Sequence, residues 1–221
     1  MSALQDLRFM DTALALARSQ LGQTAPNPAV GCVLVANGQI IATGATAKGG
    51  RPHAESQALD TAKNKARGAT AYVTLEPCAH HGQTPPCAET LVNAGISHVV
   101  IACIDKDNRV SGRGIKILEN AGIIVKTGLC NERAIALYEG FFHRIKTGMP
   151  RLYVDANPKT YDAVLTELPA TDVESYLKAL GDQGLNRINI LPESPFIPRL
   201  RAAGLLPKMS SLQNSALTLN S

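Results

Sequence analysis

Four residues of types that bind metals or carry protons stand close together in the first half of this 221-residue chain. His53 and Glu55 are two residues apart, and Cys78 and Cys87 follow with eight residues between them. Imidazole and thiolate are ligands that zinc prefers, and a catalytic zinc site has three protein ligands and one position for water. Zinc lowers the pKa of that water, and a neighbouring carboxylate can carry its proton. The spacing predicts zinc held by His53, Cys78 and Cys87, with Glu55 as acid and base in a hydrolytic deamination.

The elements around these residues are predicted to bring them to one edge of a sheet. His53 and Glu55 follow a glycine-rich turn and begin a helix predicted over about residues 54–66. Cys78 follows a buried strand at 71–75, and Cys87 begins the next helix. The positive end of a helix dipole favours thiolate over thiol. The site is therefore expected at the carboxyl edge of the sheet, where open α/β sheets bind ligands.

The hydrophobic pattern of the first part of the chain predicts the order α-β-β-α-β-α-β-α-β-α. The first helix is predicted over residues 4–21, and Asn37-Gly38 is a strong signal for a hairpin between the first two strands. Strands that alternate with helices after a hairpin imply an α/β fold. We therefore predict a mixed sheet with helices on both faces.

The pattern changes after Gly148-Met149-Pro150, where proline and glycine become frequent. We predict two units, residues 1–148 and residues 149–221. In the second unit the pattern indicates strands at 151–155 and 187–191, a helix at 172–180 capped by Thr171 or Asp172, and a short helix at 198–205. Residues 210–221 are polar and are expected to be frayed.

Composition excludes several classes of partner. Aromatic residues make up 4% of the chain and Trp is absent, which argues against a surface that stacks single-stranded nucleic acid. The formal net charge is +4, without a run of like charges. No apolar run reaches the ~18–20 residues that span a bilayer, and the N-terminus lacks the pattern of an export signal. Five cysteines, an odd number, do not suggest a disulfide framework. We expect a cytoplasmic protein without nucleic-acid or membrane partners.

Further polar residues near the motifs have two interpretations each. Asn27 lies between two prolines, so its amide is either a fixed hydrogen-bonding group for a heterocycle or an ordinary turn residue. His80 either lines the substrate pocket or packs within its loop, and His81 is expected to face solvent. Cys32 and Cys103 lie inside predicted strands and are interpreted as core residues.

Together these motifs resemble a known family, the deaminase domain of the bifunctional riboflavin-biosynthesis deaminase/reductases. The resemblance covers about residues 5–150 and rests on Pro26-Asn27-Pro28-Ala29-Val30-Gly31, His53-Ala54-Glu55, the segment from Thr74 to Glu89, Ser111-Gly112-Arg113-Gly114-Ile115 and Lys146-Thr147-Gly148-Met149-Pro150. Cytidine, tRNA-adenosine and guanine deaminases tend to use the shorter Cys-x-x-Cys spacing, whereas this chain has the wider one.

The resemblance implies a three-layer α/β/α cytidine-deaminase-like fold and a specific reaction. That reaction is the zinc-dependent hydrolysis of the ring 2-amino group of 2,5-diamino-6-ribosylamino-4(3H)-pyrimidinone 5′-phosphate. By position, the resemblance assigns substrate binding to Asn27, His80, Gln83 and Asp105, in addition to the zinc ligands and Glu55. It also implies a homo-oligomer.

The chain departs from the family pattern at positions expected to face substrate. Gln83 replaces a lysine or arginine, Asp105-Lys106-Asp107-Asn108 replaces Asp-Pro-Asn-Pro, and Thr46 replaces a histidine. Two alternatives therefore stay open: a deaminase of another aminated heterocycle, and a non-catalytic zinc-binding relative that acts through a partner. Residues 149–221 are expected to be a truncated reductase remnant without an NADPH site, so that the next step needs a separate reductase.

Overall fold

The computed structural model describes residues 2–81, 85–106 and 111–206. Gln83 and the stretch from Asp107 to Arg109 lie outside these ranges, as do the residues expected to fray at 210–221.

Helices and strands alternate along the described chain as the sequence predicts. The first part contains α1 (Ala3–Ser19), β1 (Gly31–Ala36), β2 (Gln39–Ala45), α2 (Ala54–Ala62), β3 (Thr70–Leu75), α3 (Cys87–Asn93), β4 (His98–Cys103), α4 (Arg113–Asn120), β5 (Ile124–Thr127) and α5 (Asn131–Thr147). The second part contains β6 (Arg151–Val154), β7 (Ala163–Val164), α6 (Val173–Asp182), β8 (Arg187–Ile190) and α7 (Ile197–Ala202).

The larger sheet is mixed, with the strand order β2-β1-β3-β4-β5. Strand β1 is antiparallel to both of its neighbours, while β3, β4 and β5 run parallel. Asn37 and Gly38 connect β1 to β2 with positive φ angles of 52° and 74°, the conformation that a type I′ hairpin turn requires. The predicted hairpin and mixed sheet are therefore confirmed.

Two glycines show that helices cover both faces of this sheet. Gly31 pairs with Ala45, the neighbour of Gly44, so Gly31 and Gly44 face opposite sides. A Cβ atom at Gly31 would collide with the backbone of Ala13 in α1, and one at Gly44 with the backbone of Ala54 in α2. Helices α1 and α2 therefore lie on opposite faces at very close range. The start of α2, which carries two of the predicted site residues, is held directly against β2.

The helix predicted over residues 54–66 is shorter than expected. Helix α2 ends at Ala62, and Lys63 has a positive φ of 50° before a 3₁₀ turn at Lys63–Ala66. Lys63, Asn64 and Lys65 are all exposed, so burial of an apolar face does not stabilise a further α-helical turn there.

The second part of the described chain, residues 149–206, is called the C-terminal segment below. It has a parallel sheet in the order β6-β8-β7 and its own apolar core, formed by Leu152, Leu165, Leu177, Ile188, Ile190, Ile197, Leu200 and Leu206. Asp172 caps α6, as predicted, by accepting a hydrogen bond from the Ser175 N–H at 3.3 Å. The sequence did not indicate β7, which has only two residues. Within the described ranges, no helix is long and apolar enough to cross a membrane.

Candidate metal centre and substrate pocket

Three of the predicted site residues meet where two helices begin beside the end of β3. His53 precedes the first residue of α2, Cys87 is the first residue of α3, and Cys78 lies in the loop after β3. His53 Nδ1 is 3.4 Å from Cys87 Sγ and 3.8 Å from Cys78 Sγ. The structure thus brings together residues from three separate parts of the chain.

The donor set has the geometry of a zinc site. All three ligand atoms lie within 4.8 Å of one another. With usual Zn–S and Zn–N bond lengths, tetrahedral coordination separates a sulfur from a nitrogen ligand by about 3.6 Å. The two observed S···N separations are on either side of that value. Two thiol groups and one imidazole are also the ligand types that select zinc, so the residues present fit this metal.

The surroundings of the two sulfur atoms favour a thiolate at Cys78. The Cys87 N–H, at the start of α3, donates a hydrogen bond to Cys78 Sγ at 3.2 Å. The side-chain hydrogen bond from Cys87 is the main reason that the pKa of Cys78 falls to about 4, and His53 lowers it further. The same interaction, together with burial, raises the pKa of Cys87. Hydrogen bonding to Cys78 also raises the pKa of His53.

Glu55 lies in the first turn of α2 and is buried, with 4% of its surface exposed. Burial, followed by the nearby charge of Cys78, raises the pKa of its carboxyl group to about 7. A second carboxylate has the same sequence spacing, because Glu89 follows Cys87 by two residues, as Glu55 follows His53. The Glu89 side chain is 40% exposed and contacts His81 at 3.2 Å. Of these two carboxylates, Glu55 is the buried one, and it lines the cavity described next.

A cavity of about 230 Å³ opens onto this cluster. Of the residues predicted to bind substrate, Asn27, His80 and Asp105 line it, and Gln83 lies outside the described residues. Lining residues that the sequence interpretation did not assign to the pocket are Pro26, Pro28, Val30, Arg51, Leu75, Glu76, Phe141, Arg144 and Ile145. Arg51 follows the glycine-rich turn directly, which is a local signal for its place at the pocket. Arg144 comes from α5, far along the chain.

The amide of Asn27 is fixed in the wall of this cavity. Its Nδ2 group donates to the Gly50 carbonyl at 2.8 Å and lies 3.4 Å from His53 Nε2. Gly50 has a φ of +87°, and a Cβ atom there would be 2.7 Å from Asn27 Nδ2. Asn27 therefore combines its two predicted interpretations, since it is a turn residue whose amide also faces the site.

The burial of the other residues that the sequence analysis singled out is as follows. His80 is exposed although it lines the cavity, and His81 is exposed as expected. Cys32 and Cys103 are buried in the core, with 0% and 2% of their surface exposed, as predicted. Thr46 is 1% exposed, and its hydroxyl accepts a hydrogen bond from the Val30 N–H at 2.9 Å.

Glu76 is a functional candidate that the sequence interpretation did not select. It is 3% exposed, and its carboxylate accepts backbone N–H bonds from Asp105 at 3.3 Å, Gly112 at 3.0 Å and Gly114 at 3.0 Å. These contacts attach the loop that contains Asp105 to the strand that leads to Cys78. A charged residue between an apolar strand and Pro77 was the available signal.

Glu76→Gln is expected to lower the free energy of unfolding by about 1–3 kcal/mol, because one carboxylate oxygen that accepts N–H bonds becomes an N–H donor. Urea unfolding followed by circular dichroism measures this change. Glu119→Gln is the matched control, since Glu119 is an exposed glutamate in α4. Equal unfolding midpoints for the two variants would show that the carboxylate does not hold this loop.

Comparison with known proteins extends these observations. A family model described as the cytidine and deoxycytidylate deaminase zinc-binding region matches residues 4–103. Riboflavin biosynthesis protein RibD of Haemophilus influenzae is 51% identical over 146 residues, which are 66% of this chain and 39% of that protein. The diaminohydroxyphosphoribosylamino-pyrimidine deaminase of Buchnera aphidicola subsp. Acyrthosiphon pisum is 49% identical over 149 residues, 66% of this chain and 100% of that protein. The chain belongs to this deaminase family. The matched zinc-binding region and the donor set together confirm zinc as its cofactor.

Solved structures of the family share the fold beyond the deaminase part. RibD of Acinetobacter baumannii matches with a TM-score of 0.81 at 29% identity, over 93% of this chain and 85% of that chain. The deaminase/reductase of Thermotoga maritima matches with a TM-score of 0.79 at 26% identity, over 90% of this chain and 84% of that chain. The three-layer α/β/α fold is therefore confirmed. The structural similarity continues into the C-terminal segment, although this chain spans only about two fifths of the length of the curated RibD relatives.

Proposed function

We propose that this chain catalyses the hydrolytic deamination of 2,5-diamino-6-ribosylamino-4(3H)-pyrimidinone 5′-phosphate, a step of riboflavin biosynthesis. The observation that carries the proposal is the buried carboxylate of Glu55 beside three zinc-ligand atoms at the wall of a cavity. The name of the Buchnera relative, which matches over its full length, supports this choice of reaction.

The residues of the site divide the chemistry as follows. His53, Cys78 and Cys87 would hold zinc, which when bound would lower the pKa of a water molecule toward neutral pH. Glu55 takes up the proton that this water loses and delivers it to the ring amino group, which leaves as ammonia while the ring carbon becomes a carbonyl. The fixed amide of Asn27 presents a polar group to the heterocycle beside the reacting carbon.

The cavity also provides charge for an anionic substrate. Arg51 and Arg144 line it, although the family's cationic position is occupied by Gln83. We propose that Arg51 takes over the contact with phosphate, because the Arg144 guanidinium already donates to Asn186 Oδ1 and to the Pro26 carbonyl. Asp105, 7% exposed and held by Glu76, is proposed to accept a hydrogen bond from the substrate.

We further propose that residues 1–148 form the deaminase and that residues 149–221 are a shortened reductase-like part without a nucleotide site. The sheet of the C-terminal segment has strands of only four, two and four residues. A dinucleotide fold needs two βαβαβ halves. A separate reductase then performs the next step, and the chain works as a cytoplasmic homo-oligomer.

A deaminase of a different aminated heterocycle is the second candidate, and Thr46 favours it. Thr46 lines the cavity, but its buried hydroxyl is bonded to the Val30 backbone, so it presents a different group to the pocket from the histidine of the family pattern. The pocket wall is therefore different from the family pattern at this position.

Ammonia release by zinc-loaded protein tests the proposal. We expect turnover with the diaminopyrimidine ribotide and much slower turnover with the same compound lacking its 5′-phosphate. Turnover of neither compound, in protein confirmed to hold one zinc per chain, would contradict the proposed substrate. A panel of other aminated pyrimidines and purines in the same assay then identifies the alternative.

A further inference from the structure

The C-terminal segment contacts the loop that forms one wall of the substrate cavity. The Pro26 carbonyl accepts two hydrogen bonds, from the Arg144 guanidinium at 2.9 Å and from Asn186 Nδ2 at 3.3 Å. Arg144 Nε also donates to Asn186 Oδ1 at 2.7 Å. These three groups form a closed hydrogen-bonded set. Asn186 is separated from Pro26 by 160 residues.

Asn186 is itself held firmly in the C-terminal segment. It is 5% exposed, and its backbone N–H donates to Asp162 Oδ2 at 2.7 Å, as the next N–H does at 2.9 Å. The surrounding backbone packs closely against the same loop. A Cβ atom at Gly184 would be 2.5 Å from Pro26 Cβ, and one at Gly22 would be 2.7 Å from the backbone of Tyr161.

The supported loop leads directly into the site. Asn27 follows Pro26, and its amide donates to the Gly50 carbonyl and lies 3.4 Å from His53 Nε2. The Asn27 N–H donates to the Thr24 carbonyl at 3.0 Å, which makes the loop a compact turn. A shift of Pro26 would therefore move the Asn27 amide relative to the zinc ligand and the cavity.

We propose that the C-terminal segment supports the substrate pocket and that Asn186 is a positioning residue, which holds Pro26 and through it the amide of Asn27. This gives the segment a role in deamination that needs no nucleotide. The kinetic part of the proposal rests on the proposed function, whereas the structural part does not.

A double-mutant cycle in the full chain tests the kinetic part. Asn186→Ala is expected to lower kcat/KM by about fivefold to tenfold, mainly through KM, as the loss of one hydrogen bond to a binding loop would. In the Asn27→Ala background the same change is expected to have no further effect, because Asn186 acts through Asn27. If Asn186→Ala lowers kcat/KM by the same factor in the Asn27→Ala background as in the unmodified chain, the proposal is overturned. Asn157→Ala is the matched control, since the exposed Asn157 side chain accepts a hydrogen bond from the nearby Lys159 N–H, and its loss is expected to leave kcat/KM unchanged.

Hydrogen exchange, which requires no substrate, tests the structural part. Asn186→Ala is expected to accelerate amide exchange in the peptide covering residues 23–30, while Asn157→Ala is not. Asn186→Asp keeps the acceptor for Arg144 and loses the donor to Pro26, so it is expected to accelerate exchange even if the alanine variant unfolds the segment. Unchanged exchange in a folded Asn186→Asp variant would overturn the proposal. If the unmodified chain does not turn over the ribotide, the proposed function fails, and the exchange result still decides the role of Asn186.

Discussion

Glu55→Gln is expected to lower kcat for ammonia release by about 10²- to 10⁴-fold, the usual contribution of a general acid and base. The glutamine has nearly the same size and can still accept a hydrogen bond, but it cannot take up a proton. Because Glu55 is not one of the three residues whose ligand atoms cluster, the variant is expected to retain one zinc per chain. Steady-state kinetics and metal analysis by mass spectrometry measure the two quantities.

Glu89→Gln is the matched control for that experiment. Glu89 follows Cys87 by two residues and lies in the first turn of α3, as Glu55 follows His53 by two residues and lies in the first turn of α2. Its exposed side chain contacts His81, so its loss is expected to leave kcat within about twofold, as is usual for surface substitutions. Comparable losses in both variants would contradict the assignment of Glu55. Full turnover in Glu55→Gln would contradict it directly.

Cys87→Ser is expected to lower the affinity for zinc by more than about 100-fold, since removing a ligand costs more than removing a group that only orients one. The alcohol of serine does not ionise near neutral pH and is a poor ligand for zinc. The thermal midpoint is expected to become insensitive to added zinc, because a metal stabilises a folded protein only to the extent that it binds. Competition with a chromophoric chelator and thermal unfolding with and without zinc measure these effects.

Cys130→Ser provides the comparison for the loss of a thiol. Cys130 precedes α5, and its side chain contacts Arg133 rather than the ligand cluster. Zinc content and its effect on the thermal midpoint are expected to remain unchanged in this variant. If Cys87→Ser retains zinc as Cys130→Ser does, another group completes the site and the ligand assignment is wrong.

The sequence predicted the order of the elements well, because that order depends on local patterns, and local patterns also selected the three residues that we propose as zinc ligands. The period of apolar residues distinguishes helices from strands, and Asn37-Gly38 has an intrinsic preference for a tight turn. The proposed ligands were recognisable because a histidine and a cysteine at helix starts, with a second cysteine after a buried strand, suit zinc. The break at Lys63 and the short strand β7 were missed, since neither produces a periodic pattern.

Only the tertiary structure distinguished residues that the sequence presents as equivalent. Glu55 and Glu89 have the same spacing from a ligand, yet one is buried and the other is exposed, because burial depends on packing from distant elements. The carboxylate of Glu76 finds its partners in a loop about 30 residues further along the chain. The bond between Asn186 and Pro26 joins opposite ends of the chain. Local pattern thus selected the residues that we propose as zinc ligands, whereas long-range packing decided which of the two carboxylates is buried and which distant residue contacts the pocket wall.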